Sequence, residues 1–282
     1  MRVQSAAKIN LVLNVLARRA DHYHELRAVL QTVSLCDYLD FARAQTLEIH
    51  APVGITAELE QNLIYRAARK FLDRYTPGAG VRITLTKNIP LAAGLAGGST
   101  DCAGALIGLN EFLAVHAPPE ELEEIADSLG SDTAYCLRGG TYLATGRGEL
   151  LQKLPELPKM TGLILKPPFP LSTAAVYARF SGQNTPCDLS AYERGEAAAH
   201  LALNMRNDLT VPALSLRPEL KDYLRRVEQT SPAVCQMSGS GPAIFAFYPH
   251  ISARDTAVAA LSRTCEVYPV ETVQTAQKIL YD

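Results

Sequence analysis

The sequence predicts an α+β chain in two parts, and three features carry that reading. A strand-like run, Val81 to Lys87, leads through a glycine-rich turn, Pro90 to Gly98, into a run with helical spacing at Ala103, Leu106, Ile107, Asn110 and Leu113. Pro155 and Pro158 mark a change of pattern that reads as a linker. Beyond them, with extra helices set aside, the elements fall in the order β-α-β-β-α-β, the ferredoxin-like order. The expected division is therefore 1–155 and 156–282.

Composition narrows the classes. The chain has 282 residues, 48% hydrophobic and 20% charged, which reads as globular with real cores. A net charge of −2 gives no electrostatic reason to expect nucleic acid or an anionic membrane as partner. No apolar run reaches the roughly 18 residues of a membrane span. Lys8, Asn10 and Asn14 interrupt the first apolar run, so it does not read as a secretory leader. The six cysteines are scattered without a C-x-x-C pair, which fits reduced thiols in a cytoplasm better than disulfides or zinc.

In order, residues 3–16 read as a strand in which Lys8 and Asn10, two apart, share one face. Taken alone, Lys8 is a solvated charge. Asp21-His22-Tyr23-His24-Glu25 reads either as a polar turn or as half of a metal site, and no second cluster completes a tetrahedral set. Strands follow at 29–35, 38–41 and 46–50. A helix from about Gln61 to Tyr75 has Asn62 as its natural N-cap. Ser99, Thr100 and Asp101 are N-cap types placed where the helix after the glycine-rich turn should begin. A helix start has unpaired N–H groups and a positive dipole end, which suits a phosphate, and glycines let the main chain approach it. The turn is neither a Walker loop nor a G-x-G-x-x-G fingerprint. Pro118 and Pro119 open a helix that ends at Gly130. By elementary physics Asp132 is then the N-cap of a short helix. Gly139 to Glu149 reads as a strand and tight turn. In the second half we expect strands at 161–166, 233–237, 243–248 and 265–270, and helices at 172–180, 188–203, 217–229 and 252–262. The Ser238–Pro242 stretch alone is an ordinary glycine-rich hairpin turn.

The string Pro90-x-x-Ala93-Gly94-Leu95-x-Gly97-Gly98-Ser99-Thr100-Asp101 resembles the central ATP-binding motif of the GHMP kinases, with Ala96 where the family has a further glycine. Ala7-Lys8-Ile9-Asn10-Leu11 and Arg19-x-Asp21-His22-Tyr23-His24 resemble motifs of one branch, which acts on a cytidine diphosphate-linked methylerythritol; His22 replaces that branch's glycine. Gly130-Ser131-Asp132 matches a family stretch, although Thr133-Ala134 stands for its usual Val-Pro. Asn207-Asp208-Leu209 resembles another, and Met237 to Phe245 the third GHMP motif, which closes over the ATP site. The resemblance covers nearly the whole chain.

It implies a two-domain α+β GHMP kinase fold, with a ribosomal protein S5 domain 2-like N-terminal domain, a ferredoxin-like C-terminal domain and the active site between them. The implied reaction moves the γ-phosphoryl of ATP, accompanied by Mg2+, to an alcohol of that small-molecule substrate in non-mevalonate isoprenoid synthesis. By the same resemblance Asp132 is the catalytic carboxylate and Lys8 its partner at the γ-phosphate. The ATP ligands are Pro90, Leu91, Ala92, Ala93, Gly94, Leu95, Ala96, Gly97, Gly98, Ser99 and Thr100, with Asn62 near the adenine and Lys87. Asn10, Tyr23, His24, Thr173 and Tyr177 bind the substrate, the two tyrosines stacking on cytosine. Ser99 or Thr100 is the metal contact the motif offers, and no acidic metal ligand is identified. The alternatives are a GHMP kinase for another small alcohol, against which Tyr23 and Tyr177 argue, and a non-catalytic nucleotide-binding relative, against which Lys8 and Asp132 argue.

Overall fold

The computed structural model describes residues 1–52, 55, 58–182 and 184–281. The chain opens with two long antiparallel strands, β1 (Arg2–Arg18) and β2 (His24–Arg43), then β3 (Glu48–His50). Helix α1 (Leu63–Tyr75), strand β4 (Val81–Thr86) and helices α2 (Gly97–Phe112), α3 (Pro119–Asp127) and α4 (Thr133–Arg138) follow. Strands β5 (Thr141–Gly146), β6 (Leu150–Lys153) and β7 (Thr161–Lys166) lead into α5 (Thr173–Arg179), α6 (Ser190–Glu193) and α7 (Leu201–Asn204). The remainder is β8 (Arg206–Asn207), α8 (Thr210–Leu216), α9 (Leu220–Glu228), β9 (Val234–Met237), β10 (Ile244–Tyr248), α10 (Ile251–Leu261), β11 (Glu266–Glu271) and β12 (Gln277–Leu280).

The strands form two sheets. In the first, β12, β1, β2, β4 and β3 lie side by side, β5 pairs the other end of β2, β6 pairs β5, and β8 pairs β1. The second is β11-β7-β10-β9, antiparallel throughout. With α9 and α10 as the crossovers, this is the ferredoxin-like order expected from the sequence. The halves are interwoven: β8 and β12 both add to the first sheet from beyond residue 200.

Several boundaries differ from expectation for physical reasons. The runs at 29–35 and 38–41 are one strand, β2, whose register against β1 shifts between Ala6 and Lys8. Between the two runs, Asp37 is a buried side chain with its own partners. The expected helix 188–203 is three short pieces, α6, a 3-10 turn at Ala197–His200 and α7, interrupted at Gly195, where φ is +73°. Helix α2 begins earlier than the cap types suggested. Its N-cap is Ala96, and Ser99, Thr100 and Asp101 lie within the first turn and a half.

One buried charge cluster holds that helix start in place. Lys87 Nζ donates to Asp37 Oδ2 and, at 2.7 Å, to Asp101 Oδ2. Asp37 Oδ1 also accepts from the backbone N–H groups of Asn88 at 2.6 Å and Ile89 at 2.8 Å. Two carboxylates share one ammonium, so one of them does best neutral. Asp37 has the three donors, whereas Asp101 Oδ1 is buried without any. Burial pushes the Asp101 carboxyl up to about 8, Lys87 opposing the shift and Asp37 adding to it. The folded state thus holds a proton that the unfolded chain releases near 3.8, and stability falls as pH rises from about 4 to 8. Asp101→Asn, which keeps the shape of the neutral acid, is expected to be at least as stable as wild type at pH 7. Denaturant unfolding between pH 5 and 9 should decline in wild type and flatten in the variant; parallel declines would place the proton elsewhere.

Candidate active site

A cavity of about 990 Å³ opens between the two halves. The glycine-rich turn lines it from Pro90 to Ser99, ending on the first residues of α2. Ala92, Gly94 and Ala96 have φ of +48°, +76° and +57°, so the turn bends through the left-handed region three times within five residues. Gly94 is fixed by packing as well. A Cβ there would lie 2.2 Å from the Ser238 carbonyl oxygen. At Ala96, and at His22 with φ +67°, non-glycine residues occupy left-handed positions where the family has glycine.

The Ser238–Pro242 loop is the opposite jaw, and hydrogen bonds seat it. Ser238 Oγ donates to the Gly94 carbonyl at 3.0 Å and accepts from the Asn10 N–H at 3.3 Å. Asn207 Nδ2 donates to the Met237 and Gly239 carbonyls, both at 2.8 Å. The hydroxyls of Thr173 and Ser240 meet at 2.9 Å, hooking the start of α5 to the same loop. Gln277, on β12, donates to the carbonyls of Thr100 at 3.2 Å and Cys136 at 3.0 Å, tying α2 to α4.

Lys8 and Asp132 come together at the cavity floor. Lys8 is 6% exposed, donates to Asn10 Oδ1 at 2.7 Å, and has Nζ 3.6 Å from Asp132 Oδ2. Asp132 is the N-cap residue of α4, as expected, but its side chain makes no cap hydrogen bond. The carboxylate is left to face Lys8 and the cavity.

Tyr23, His24, Tyr177 and Phe180 line the same cavity. His24 stacks on Tyr177 with centroids 5.4 Å apart and 28° between planes, and meets Phe180 edge-on at 5.7 Å. Burial, then the nearby Arg18, lowers the His24 pKa, so the ring is neutral at neutral pH with one donor and one acceptor nitrogen. Tyr23 is 56% exposed with the Arg147 guanidinium 4.9 Å over its ring.

Three of the expected ATP ligands make contacts within the protein, Asn62 as the helix N-cap expected. Asn62 Oδ1 caps α1 by accepting from Ile64 N–H at 2.8 Å. Lys87 is committed to the two aspartates. Both line a recess of about 220 Å³ that shares Leu63, Leu91 and Gly98 with the main cavity. Thr100 is fully buried and its hydroxyl donates to the Ala6 carbonyl at 2.8 Å, so of the two candidate metal contacts only Ser99 reaches the cavity. Sequence reasoning missed Arg18, Arg147, Gly148 and Phe180 in the lining. The one available signal was Gly146-Arg147-Gly148, a turn that had to lie somewhere near the end of β5.

Two α+β halves closing on a glycine-rich helix start and a lysine–aspartate pair define a phosphotransferase for small molecules. Residues 62–140 match the family model for the GHMP kinases N terminal domain, and residues 191–267 that for the GHMP kinases C terminal domain. The chain is 41% identical over 283 residues to the 4-diphosphocytidyl-2-C-methyl-D-erythritol kinase of Moorella thermoacetica, covering 95% of each. A crystal structure of 4-(cytidine 5'-diphospho)-2C-methyl-D-erythritol kinase superposes with a TM-score of 0.83 at 33% identity, covering 96% of this chain and 99% of that one. Homoserine kinase from Cytophaga hutchinsonii, at 19% identity and a TM-score of 0.74 over 99% and 97% of the chains, shares the fold. The chain belongs to the 4-diphosphocytidyl-2-C-methyl-D-erythritol kinase family of GHMP kinases, ATP-dependent enzymes that phosphorylate small molecules.

Proposed function

We propose that this chain transfers the γ-phosphoryl of ATP to the C2 hydroxyl of 4-diphosphocytidyl-2-C-methyl-D-erythritol, in the reducing cytoplasm that its six free cysteines suit. The observation that carries the reading is Lys8 Nζ at 3.6 Å from an uncapped Asp132 carboxylate, in one cavity with the phosphate turn and a histidine–tyrosine stack. Main-chain N–H groups of the turn and the α2 N-terminus hold the β- and γ-phosphates. Asp132 accepts the proton of the substrate hydroxyl as its oxygen attacks the γ-phosphorus and ADP leaves. Lys8 offsets the charge spread over the transferring group. The adenine lies toward the Asn62 recess. The proposed domains, 1–155 and 156–282, each supply half: Lys8 and Asp132 from one, Thr173, Tyr177 and the Ser238–Pro242 loop from the other.

Magnesium enters as the ATP complex. Among the described residues no group of three His, Cys, Asp or Glu could cage a metal ion; Ser99 and Asp132, which both line the cavity, would be the side chains to hold it. Such an ion would supply charge neutralisation at the phosphates.

The test is a panel of alcohols offered with ATP, product mass being read out, combined with Tyr177→Ala. Losing one stacking ring should raise KM for the cytidyl substrate about 10-fold, with KM for ATP little changed. Tyr177→Phe should be nearly silent. If Tyr177→Ala raises KM for ATP and spares the alcohol, the cytidine assignment fails.

A further inference from the structure

The base-recognition end and the reacting end of the cavity are joined by one turn. At the first end, Arg18 and His24 pair across β1 and β2, and the hairpin between them carries Tyr23. Strand β2 also pairs with β5, Leu26 opposite Gly146, so the β5–β6 turn lies beside that hairpin. Glu25 links the two by accepting from the Gly146 N–H at 3.1 Å. At the other end the same turn approaches the loop that carries the acceptor carboxylate. A Cβ on Gly148 would lie 3.8 Å from Ser131 Cβ, one residue before Asp132. Between these contacts is Arg147, whose guanidinium caps the Tyr23 ring at 4.9 Å.

We infer that Arg147 is a specificity-determining residue that binds the diphosphate linking the substrate's cytidine to its alcohol. This rests on the cytidyl reading above and names the part of the substrate that the site residues discussed so far leave unrecognised. In a cytidine diphosphate-linked polyol the diphosphate is midway between base and reacting hydroxyl. Arg147 lies over the Tyr23 ring, in the turn that runs on through Gly148 toward Ser131. Its partners leave it able to bind. Glu149 accepts from its backbone N–H at 2.6 Å and stands 3.9 Å from Nε, and Asp21 faces it through space. Among the described residues neither terminal nitrogen makes a hydrogen bond, so the two-pronged edge that suits phosphate oxygens is open. Arg19, by contrast, is engaged by Asp21 at 3.3 Å and Glu25 at 2.6 Å. Arg18 lines the cavity beside His24 and adds to the positive field there. The Tyr23 face under the guanidinium lets one residue orient both the arginine and the base.

The test is competition by cytidine, CMP and CDP against the alcohol substrate, for wild type, Arg147→Ala and Arg147→Lys. Wild type should prefer CDP to CMP and CMP to cytidine. Arg147→Ala should weaken CDP about 10-fold or more, as expected for a lost charge-assisted contact, and raise the KM of the cytidyl substrate similarly. Inhibition by cytidine and KM for ATP should be unchanged, which also reports an intact fold. Arg147→Lys, keeping charge without the fork, should recover part of the loss. Equal weakening of all three inhibitors by Arg147→Ala would overturn the inference, leaving Arg147 as a support for Tyr23. If wild type binds none of the three competitively with the alcohol, the cytidyl reading fails first and the inference falls with it.

Discussion

Asp132→Asn is expected to lower kcat about 10²–10⁴-fold, the usual cost of losing a general base, while ATP binding and thermal stability stay near wild type. The structure sharpens this expectation. An aspartate at an N-cap is ordinarily a structural residue, and its replacement would cost about 1 kcal/mol of stability. Here the backbone occupies the N-cap position, and the side chain makes no cap hydrogen bond. Its nearest cation is Lys8 on β1, 3.6 Å away. Asparagine preserves the shape and removes the proton acceptor, so chemistry and folding should separate cleanly. ATP affinity by calorimetry, unfolding by circular dichroism and turnover by coupled ADP release test all three. A folded variant with near-normal turnover would return Asp132 to the role of a helix start.

What the sequence could show follows the range of the interactions involved. The strand, glycine-rich turn and helix start around Gly94 were legible because each is local: alternation, turn residues and an apolar stripe lie within twenty residues of one another. The start of α2 was misplaced by three residues, because its N-cap is Ala96, a left-handed residue with no capping side chain, two positions after Gly94, which packs against the Ser238–Pro242 loop more than 140 residues on. Strands β8 and β12 were missed altogether. Each is very short, and each is a strand only because β1 offers an edge to pair with. The expected gap between 35 and 38 was filled by long-range contacts too, the partners of Asp37 being Lys87, Asn88 and Ile89. In the site, Lys8 and Asp132 came from motif resemblance, since a lone lysine and a lone capping aspartate say nothing by themselves. Arg147 carried no such mark: it is a surface turn residue until β2 and β5 are paired.

Lys8→Met is expected to lower kcat and kcat/KM together by about 10²–10³-fold, as for removal of one preorganised donor to developing charge. Lys8 is almost fully buried, and Asn10 Oδ1 and Asp132 Oδ2 fix its ammonium at 2.7 and 3.6 Å. It therefore costs no reorganisation when charge moves onto the transferring phosphoryl group. Methionine fills the same space without the charge, and β1 is held by β2 and β12 on either side, so the fold should survive. The variant leaves Asp132 without its cation, which makes the two positions energetically dependent. In Lys8→Met/Asp132→Asn the losses should be far from additive, the double variant being little worse than the poorer single one, because the pair acts as a unit. Additive losses would mean that Lys8 serves the phosphate and Asp132 the hydroxyl independently. A Lys8→Met enzyme with raised KM for ATP but wild-type kcat would make Lys8 a ground-state phosphate contact and remove it from the chemical step.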